Sequence, residues 1–139
     1  MTRPQDDRGA ITLFVVVFTL ALLAAVGLVV DGGGRVRALQ RADEAAREAA
    51  RAGSQMIDVP SAVRGDGVRV DPAGAARAAR AYLDAAGVDG TVAVEGNAVR
   101  VSTSVTYQPV FLSFAGVGPM TVTGTASARP VAGDDEEVP

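Results

Sequence analysis

The stretch "AITLFVVVFTLALLAAVGLVV", residues 10–30, followed by "DGGGRVR", residues 31–37, decides how the rest of this chain is read. From Ala10 to Val30 no residue is charged, and only Thr12, Thr19 and Gly27 are not apolar. Wound as a helix at ~1.5 Å per residue, the run is roughly 30 Å long, the thickness of the hydrocarbon core of a bilayer. A buried helix of a water-soluble domain would carry a polar face. This run has none, so the pattern predicts a transmembrane helix over 10–30. A cleavable secretory signal is the competitor, but the run exceeds the ~7–15 residues of a signal core. No Ala-x-Ala site closes it, Ala25-Val26-Gly27 coming nearest. Arg3 and Arg8 precede the run, offset by Asp6 and Asp7, whereas Arg35, Arg37, Arg41 and Arg47 follow it. A plain count of arginines therefore favours a cytoplasmic C-terminal side, although long domains cross regardless of flanking charge.

Gly32, Gly33 and Gly34 pose the next question, because glycines at the mouth of a helix can cradle a phosphate. A P-loop needs Gly-x-x-x-x-Gly-Lys, and a dinucleotide fingerprint needs Gly-x-Gly-x-x-Gly after a strand. The chain contains no lysine, Arg37 stands where the third glycine of the fingerprint would fall, and the apolar run is too long for a strand. The cradle reading fails. Each glycine costs ~1 kcal/mol in a helix relative to alanine, so residues 32–34 are expected to weaken or kink the helix as a hinge.

Composition narrows the chemistry further. With 139 residues the chain has room for one small domain, and with four phenylalanines, two tyrosines and no tryptophan its core must be built from small side chains. Cysteine and histidine are both absent, which removes disulfides, thiolate nucleophiles, imidazole bases and almost every zinc site. All 13 basic residues are arginine, and the net charge of −3 owes much to Asp134, Asp135, Glu136 and Glu137 in the tail. Such a balance gives no strong field to recruit nucleic acid. No Gly-x-Ser-x-Gly elbow is present, and a serine nucleophile would have no histidine base. Asp66, Asp71, Asp84 and Asp89 are each explained by a turn or a helix cap and lack EF-hand spacing. No catalytic, cofactor or metal site, and no small-molecule substrate, is expected.

Beyond the glycines, residues 35–52 (RVRALQRADEAAREAARA) are rich in helix formers, with Ala38, Ala42, Ala45, Ala49 and Ala52 on one stripe. Asp43 with Arg47 and Glu48 with Arg51 have the spacing of helical ion pairs, and Gly53 is placed to cap the end. The stripe suits close packing on another helix or an exposed alanine-rich stalk equally. Residues 54–70 are irregular, with Pro60 and a turn at Gly65-Asp66-Gly67. Asp71-Pro72 then signals a helix start, with an apolar stripe at Ala75, Ala79, Tyr82, Leu83 and Ala86 that ends at Gly87. A hairpin follows: Thr91–Glu95, the turn Gly96-Asn97, and Ala98–Tyr107, pairing Val94 with Val99 and Val92 with Val101. Met120–Arg129 alternates Met120, Val122, Ala126 and Ala128 against Thr121, Thr123, Thr125 and Ser127, a half-buried third strand. The fold class is thus α+β: a long N-terminal helix, then a small head of one short helix on a three-stranded antiparallel sheet. The connection 108–119, QPVFLSFAGVGP, holds Phe111, Leu112 and Phe114, which either fold over the end of the core or form an apolar contact for a partner or a bilayer surface.

The entry "RGAITLF", the exit "VDGGGR" and the segment "QRADEAAREAARAG" resemble the TadE/TadG-like proteins of bacterial tight-adherence (Flp) pilus systems, with a weaker likeness around "YQPVFLSF" and "TVTGTASARP". The resemblance implies a pilin-like architecture. With the orientation it implies, the chain is expected to divide into a cytoplasmic N-terminus (1–9), a transmembrane helix (10–30), a hinge and stalk (31–53), an extracytoplasmic head (54–130) and an acidic disordered tail (131–139). The resemblance also implies a non-enzymatic, membrane-anchored accessory or minor pilin-like component of a pilus or secretion machine, with the bilayer and other pilus subunits as partners. A membrane-tethered extracytoplasmic binding or sensory module is the alternative. In such proteins a prepilin peptidase can cut after a glycine before the apolar helix, and Gly9 and Ala10 occupy that place. Pilins usually carry a glutamate five residues into the mature chain, where this chain has Phe14, so no obligatory processing is expected.

Overall fold

A computed structural model describes residues 7–65 and 67–130; the first six residues, Asp66 of the expected turn and the acidic tail 131–139 lie outside the described residues. The chain begins as one helix, α1, over Asp7–Ser54. Its first half is long and apolar enough to cross a membrane, and its side chains there are almost all exposed. Thr19, one of its few polar residues, turns its hydroxyl back onto the carbonyl of Val15 at 2.8 Å, which leaves no polar hydrogen facing outward.

α1 passes through Gly32, Gly33 and Gly34 as continuous helix. Alanine-rich sequence after the glycines restores helix propensity, and tertiary contacts hold the glycine turn itself. Those contacts follow one line of small residues: Gly27, Asp31, Gly34, Ala38, Ala42, Ala45, Ala49 and Gly53 recur every three or four positions and face inward. Of the two expectations for the alanine stripe, packing is therefore the one found. It packs mainly on a sheet and not only on a helix, and residues 38–54 form the central helix of the head. Asp43–Arg47 and Glu48–Arg51 pair as their spacing predicts, at 3.9 and 3.7 Å, on the exposed side, where such pairs contribute only a few tenths of a kcal/mol. Gly53 does not cap the helix: a side chain there would meet Val99 Cγ1 at 2.9 Å and the carbonyl of Ala75 at 3.0 Å, so it is the point where three elements touch.

A short helix, α2 (Val59–Val63), interrupts the irregular connection, and α3 spans Pro72–Ala86. Asp71 caps α3 by accepting from the amides of Ala73 and Gly74, and Gly87 ends it in the left-handed conformation at φ 61°. Gly74, Ala75, Ala79 and Leu83 form its buried face.

The sheet comprises β1 (Asp89–Glu95), β2 (Ala98–Tyr107) and β3 (Met120–Ala128), antiparallel in that order. Val94 pairs with Val99 and Val92 with Val101, the register read from sequence. Gly96 takes φ 58° in the two-residue turn, and among the described residues no non-glycine has positive φ, which matches a II′ turn with glycine first. The turn's Asn97 also clamps the connection ahead of α3, accepting from the amide of Val70 at 2.8 Å and donating to the carbonyl of Val68 at 2.9 Å.

α1 and α3 cover one face of the sheet, while Arg100, Ser102, Thr121, Thr123, Thr125 and Ser127 line the exposed face. The core between them is small-residue throughout: Ala45, Ala46, Ala49, Ala50, Ala75 and Ala79 against Val99, Val101 and Leu83. Small side chains let backbones approach, and β3 comes close to α1 at Gly124. A Cβ there would stand 2.5 Å from the carbonyl carbon of Ala42 and 2.6 Å from its oxygen. Beside it, the buried hydroxyl of Thr103 donates to the carbonyl of Ala42 at 2.7 Å.

Candidate functional site

The most organised polar cluster lies where the apolar run ends. Asp31 sits one turn beyond Gly27 on the inward face of α1 and is only 1% exposed. A carboxylate so placed must have its lone pairs filled. Oδ1 accepts from the Tyr107 hydroxyl at 3.0 Å and the Val110 amide at 2.8 Å; Oδ2 accepts from the amides of Phe111 at 3.0 Å and Leu112 at 2.6 Å. The three consecutive amides open a 3-10 turn over Leu112–Ala115, so Asp31 acts on the loop as an N-terminal cap supplied from another element.

Burial alone would raise the pKa of Asp31, but the hydrogen bonds from Leu112, Val110, Tyr107 and Phe111 oppose it and hold the carboxyl below its usual range. The phenol of Tyr107 is pushed up, first by burial and then by its hydrogen bond to Asp31 and the charge of that carboxylate, against an opposing influence of Arg37. At neutral pH the pair is therefore carboxylate and phenol.

Two glycines make room for this knot. Phe111 lies over Gly27, where an added Cβ would meet the phenylalanine Cβ at 2.7 Å and Cγ at 2.9 Å. The Tyr107 ring lies over Gly34 so closely that any side chain there would overlap Cε2, Cζ and the hydroxyl. Of the three candidate hinge residues, Gly34 thus serves a contact, whereas a Cβ at Gly32 would meet nothing within 4 Å and one at Gly33 only the tip of Arg37, at 3.9 Å.

The three candidate contact residues of the loop part company. Phe111 is 40% exposed and rests on α1, Leu112 is half-buried with its amide on Asp31, and Phe114 is 89% exposed. Gly9 and Ala10 lie in the first turns of α1, exposed and far from the knot. Phe14, where a pilin would carry glutamate, stacks on Phe18 with ring centroids 5.9 Å apart. Among the described residues no group of three or more carboxylates gathers as a metal site; Asp71 caps α3, and Asp89 begins β1.

Sequence reading passed over Asp31 as a knot, together with Tyr107, Gly27 and Thr103. A signal existed in the spacing: Asp31 continues the stripe of small residues that runs through Gly34 and Ala38, and an acid on an otherwise buried stripe demands a partner.

No curated protein and no solved structure is similar enough to match this chain. Residues 9–60, the apolar run with its exit and the alanine-rich half of α1, match the model of the Tad family, Flp pilus-assembly TadE/G-like. The match spans Asp31 and most of the small-residue stripe, so this part of the chain is similar to Flp pilus-assembly TadE/G-like proteins.

Proposed function

We propose that the chain is a non-enzymatic accessory or minor pilin-like component of a tight-adherence pilus machine, anchored by residues 10–30 and presenting the head outside the membrane. The observation that carries this reading is the family match over 9–60, which covers the anchor and the helix on which the head is built. An uncleaved anchor fits the packing. A signal cut at Ala25-Val26-Gly27 would remove Gly27, the residue on which Phe111 rests. Cleavage after Gly9 is not required either, because Phe14 cannot supply the buried carboxylate that a mature pilin amino terminus would pair with. Mass spectrometry of the native protein should find no species beginning at Ala10, and one that did would overturn this part of the reading.

The exposed, polar face of the sheet is the surface through which the head meets neighbouring subunits. A photo-crosslinking residue at Ser102 or Thr125 should capture other proteins of the pilus machine in cells. Capture of nothing at either position would refute the assignment.

A further inference from the structure

We propose that the loop 108–119 lies in the membrane interface beside its own anchor, with Phe114 inserted among lipid acyl chains. The inference rests on the reading of residues 10–30 as a membrane span, and depth is its first support. Asp31 fastens the loop at the end of that span, and Phe111 lies on Gly27, four residues back into it. At ~1.5 Å per residue, Phe111 is therefore roughly 6 Å inside the polar boundary that Asp31 marks. Interfacial apolar groups characteristically reach that depth, ~5–10 Å.

The surface of the loop agrees. Residues 108–119 carry no charge. Val110 is 56% exposed and Phe114 89%, an exposure like that of the neighbouring span residues Leu28 (64%) and Val29 (74%). An apolar patch continuous with a lipid-facing helix is most simply covered by the same lipid.

The backbone supplies an independent argument. Irregular chain in contact with lipid must satisfy its own amides, because no water is there to do so. The amides of Val110, Phe111 and Leu112 are taken by Asp31, that of Phe114 by the carbonyl of Phe111, that of Gly116 by Ser113 and that of Val117 by Leu112. The Ser113 hydroxyl turns inward onto the carbonyl of Val110 at 2.6 Å. Six amides of the loop are bonded within the protein. Asp31 thus acts as a positioning residue that lets a non-helical segment enter the interface.

The chain has no tryptophan, so a single introduced one reports its own surroundings. Three variants of the full chain, Phe114→Trp, Leu20→Trp and Thr125→Trp, are reconstituted in phosphatidylcholine vesicles with and without acyl-chain bromination. Leu20 lies in the span, and Thr125 lies on the exposed sheet face beside Gly124, whose contact Ala42 is ~18 Å along the helix beyond Val30 at ~1.5 Å per residue. The Phe114→Trp emission should be blue-shifted and, like that of Leu20→Trp, quenched by brominated chains, while that of Thr125→Trp stays red and unquenched. Quenching of Leu20→Trp without quenching of Phe114→Trp overturns the inference and leaves the span intact. An unquenched Leu20→Trp overturns the span and the inference together. A Phe114→Trp emission that shifts to the blue only as protein concentration rises, without quenching, shows a second copy of the chain on the loop and also overturns it.

Discussion

Gly124 and Gly32 make opposite demands on the same substitution. A Cβ at Gly124 would stand 2.5 Å from the Ala42 carbonyl carbon and from the Asp43 nitrogen, whereas one at Gly32 would meet nothing within 4 Å. Ordinary van der Waals contact begins near 3.4 Å, so Gly124→Ala forces β3 and α1 apart by about 0.9 Å, and neither backbone can rotate away. The 2.7 Å hydrogen bond from Thr103 to Ala42 spans the same gap and would stretch to roughly 3.6 Å, beyond useful range. Overpacking costs about 1–3 kcal/mol and a disrupted buried hydrogen bond about 1–3 more, so Gly124→Ala should destabilise the head by roughly 2–6 kcal/mol. In a head of this size each kcal/mol moves the melting temperature by about 4–8 °C, which places the expected fall at about 8 °C or more. Gly32→Ala should instead raise stability by up to ~1 kcal/mol through helix propensity. Both variants are measured as the full chain in detergent, by thermal far-UV circular dichroism and by tryptic cleavage at Arg77, Arg80 and Arg100. Thr103→Val, which removes the hydroxyl without adding volume, separates the two contributions. A Gly124→Ala protein melting within about 2 °C of the parent would refute the close-approach argument, since overpacking of this kind cannot cost so little.

The knot at Asp31 makes two further predictions. A carboxyl whose folded pKa is depressed stabilises the native state above its unfolded pKa and loses that contribution as pH falls through the folded value. The amide resonances of Val110, Phe111 and Leu112 should therefore hold still from neutral pH down to about 4, the ordinary aspartate value, and move together only below it; joint movement near pH 6 would show that burial outweighs the hydrogen bonds. Gly34→Ala should turn the Tyr107 ring off Asp31, a cheaper adjustment than separating two backbones, and its effect on melting should be non-additive with that of Tyr107→Ala. Strict additivity would mean that the ring and the glycine are not in contact.

The elements set by short-range chemistry were legible in the residues. Asp71-Pro72 and Gly87 bracket α3 because capping is local, and Gly96-Asn97 between alternating valines fixes a register that one slipped residue would turn inside out. What could not be read depends on distant partners. Asp31 meets residues 76 to 81 positions away, and nothing near it in sequence announces them. The three glycines stay helical for a related reason: propensity argues against helix there, but α1 gains packing along its small-residue side that outweighs the propensity, as tertiary context often does. The alanine stripe looked equally suited to solvent and to a partner because alanine is common throughout the chain. The inward-facing Gly124 identifies the partner as a strand. Phe111 and Phe114 were grouped by proximity and type, and only the fold separates the one that rests on the helix from the one that projects.

Because α1 is one continuous helix from the apolar run into the core of the head, the bearing of the head about the helix axis is fixed by counting residues. At 3.6 residues per turn, deleting one residue between Leu20 and Leu23 would swing everything beyond it by about 100° relative to any neighbour gripping the earlier part of the helix, while lowering it by only ~1.5 Å. Removing a near-whole turn of four residues would restore the bearing to within about 40° at the cost of ~6 Å in height. Azimuth and height are thus geared together in this protein, and an assembly that reads both constrains the length of the apolar run as tightly as its hydrophobicity.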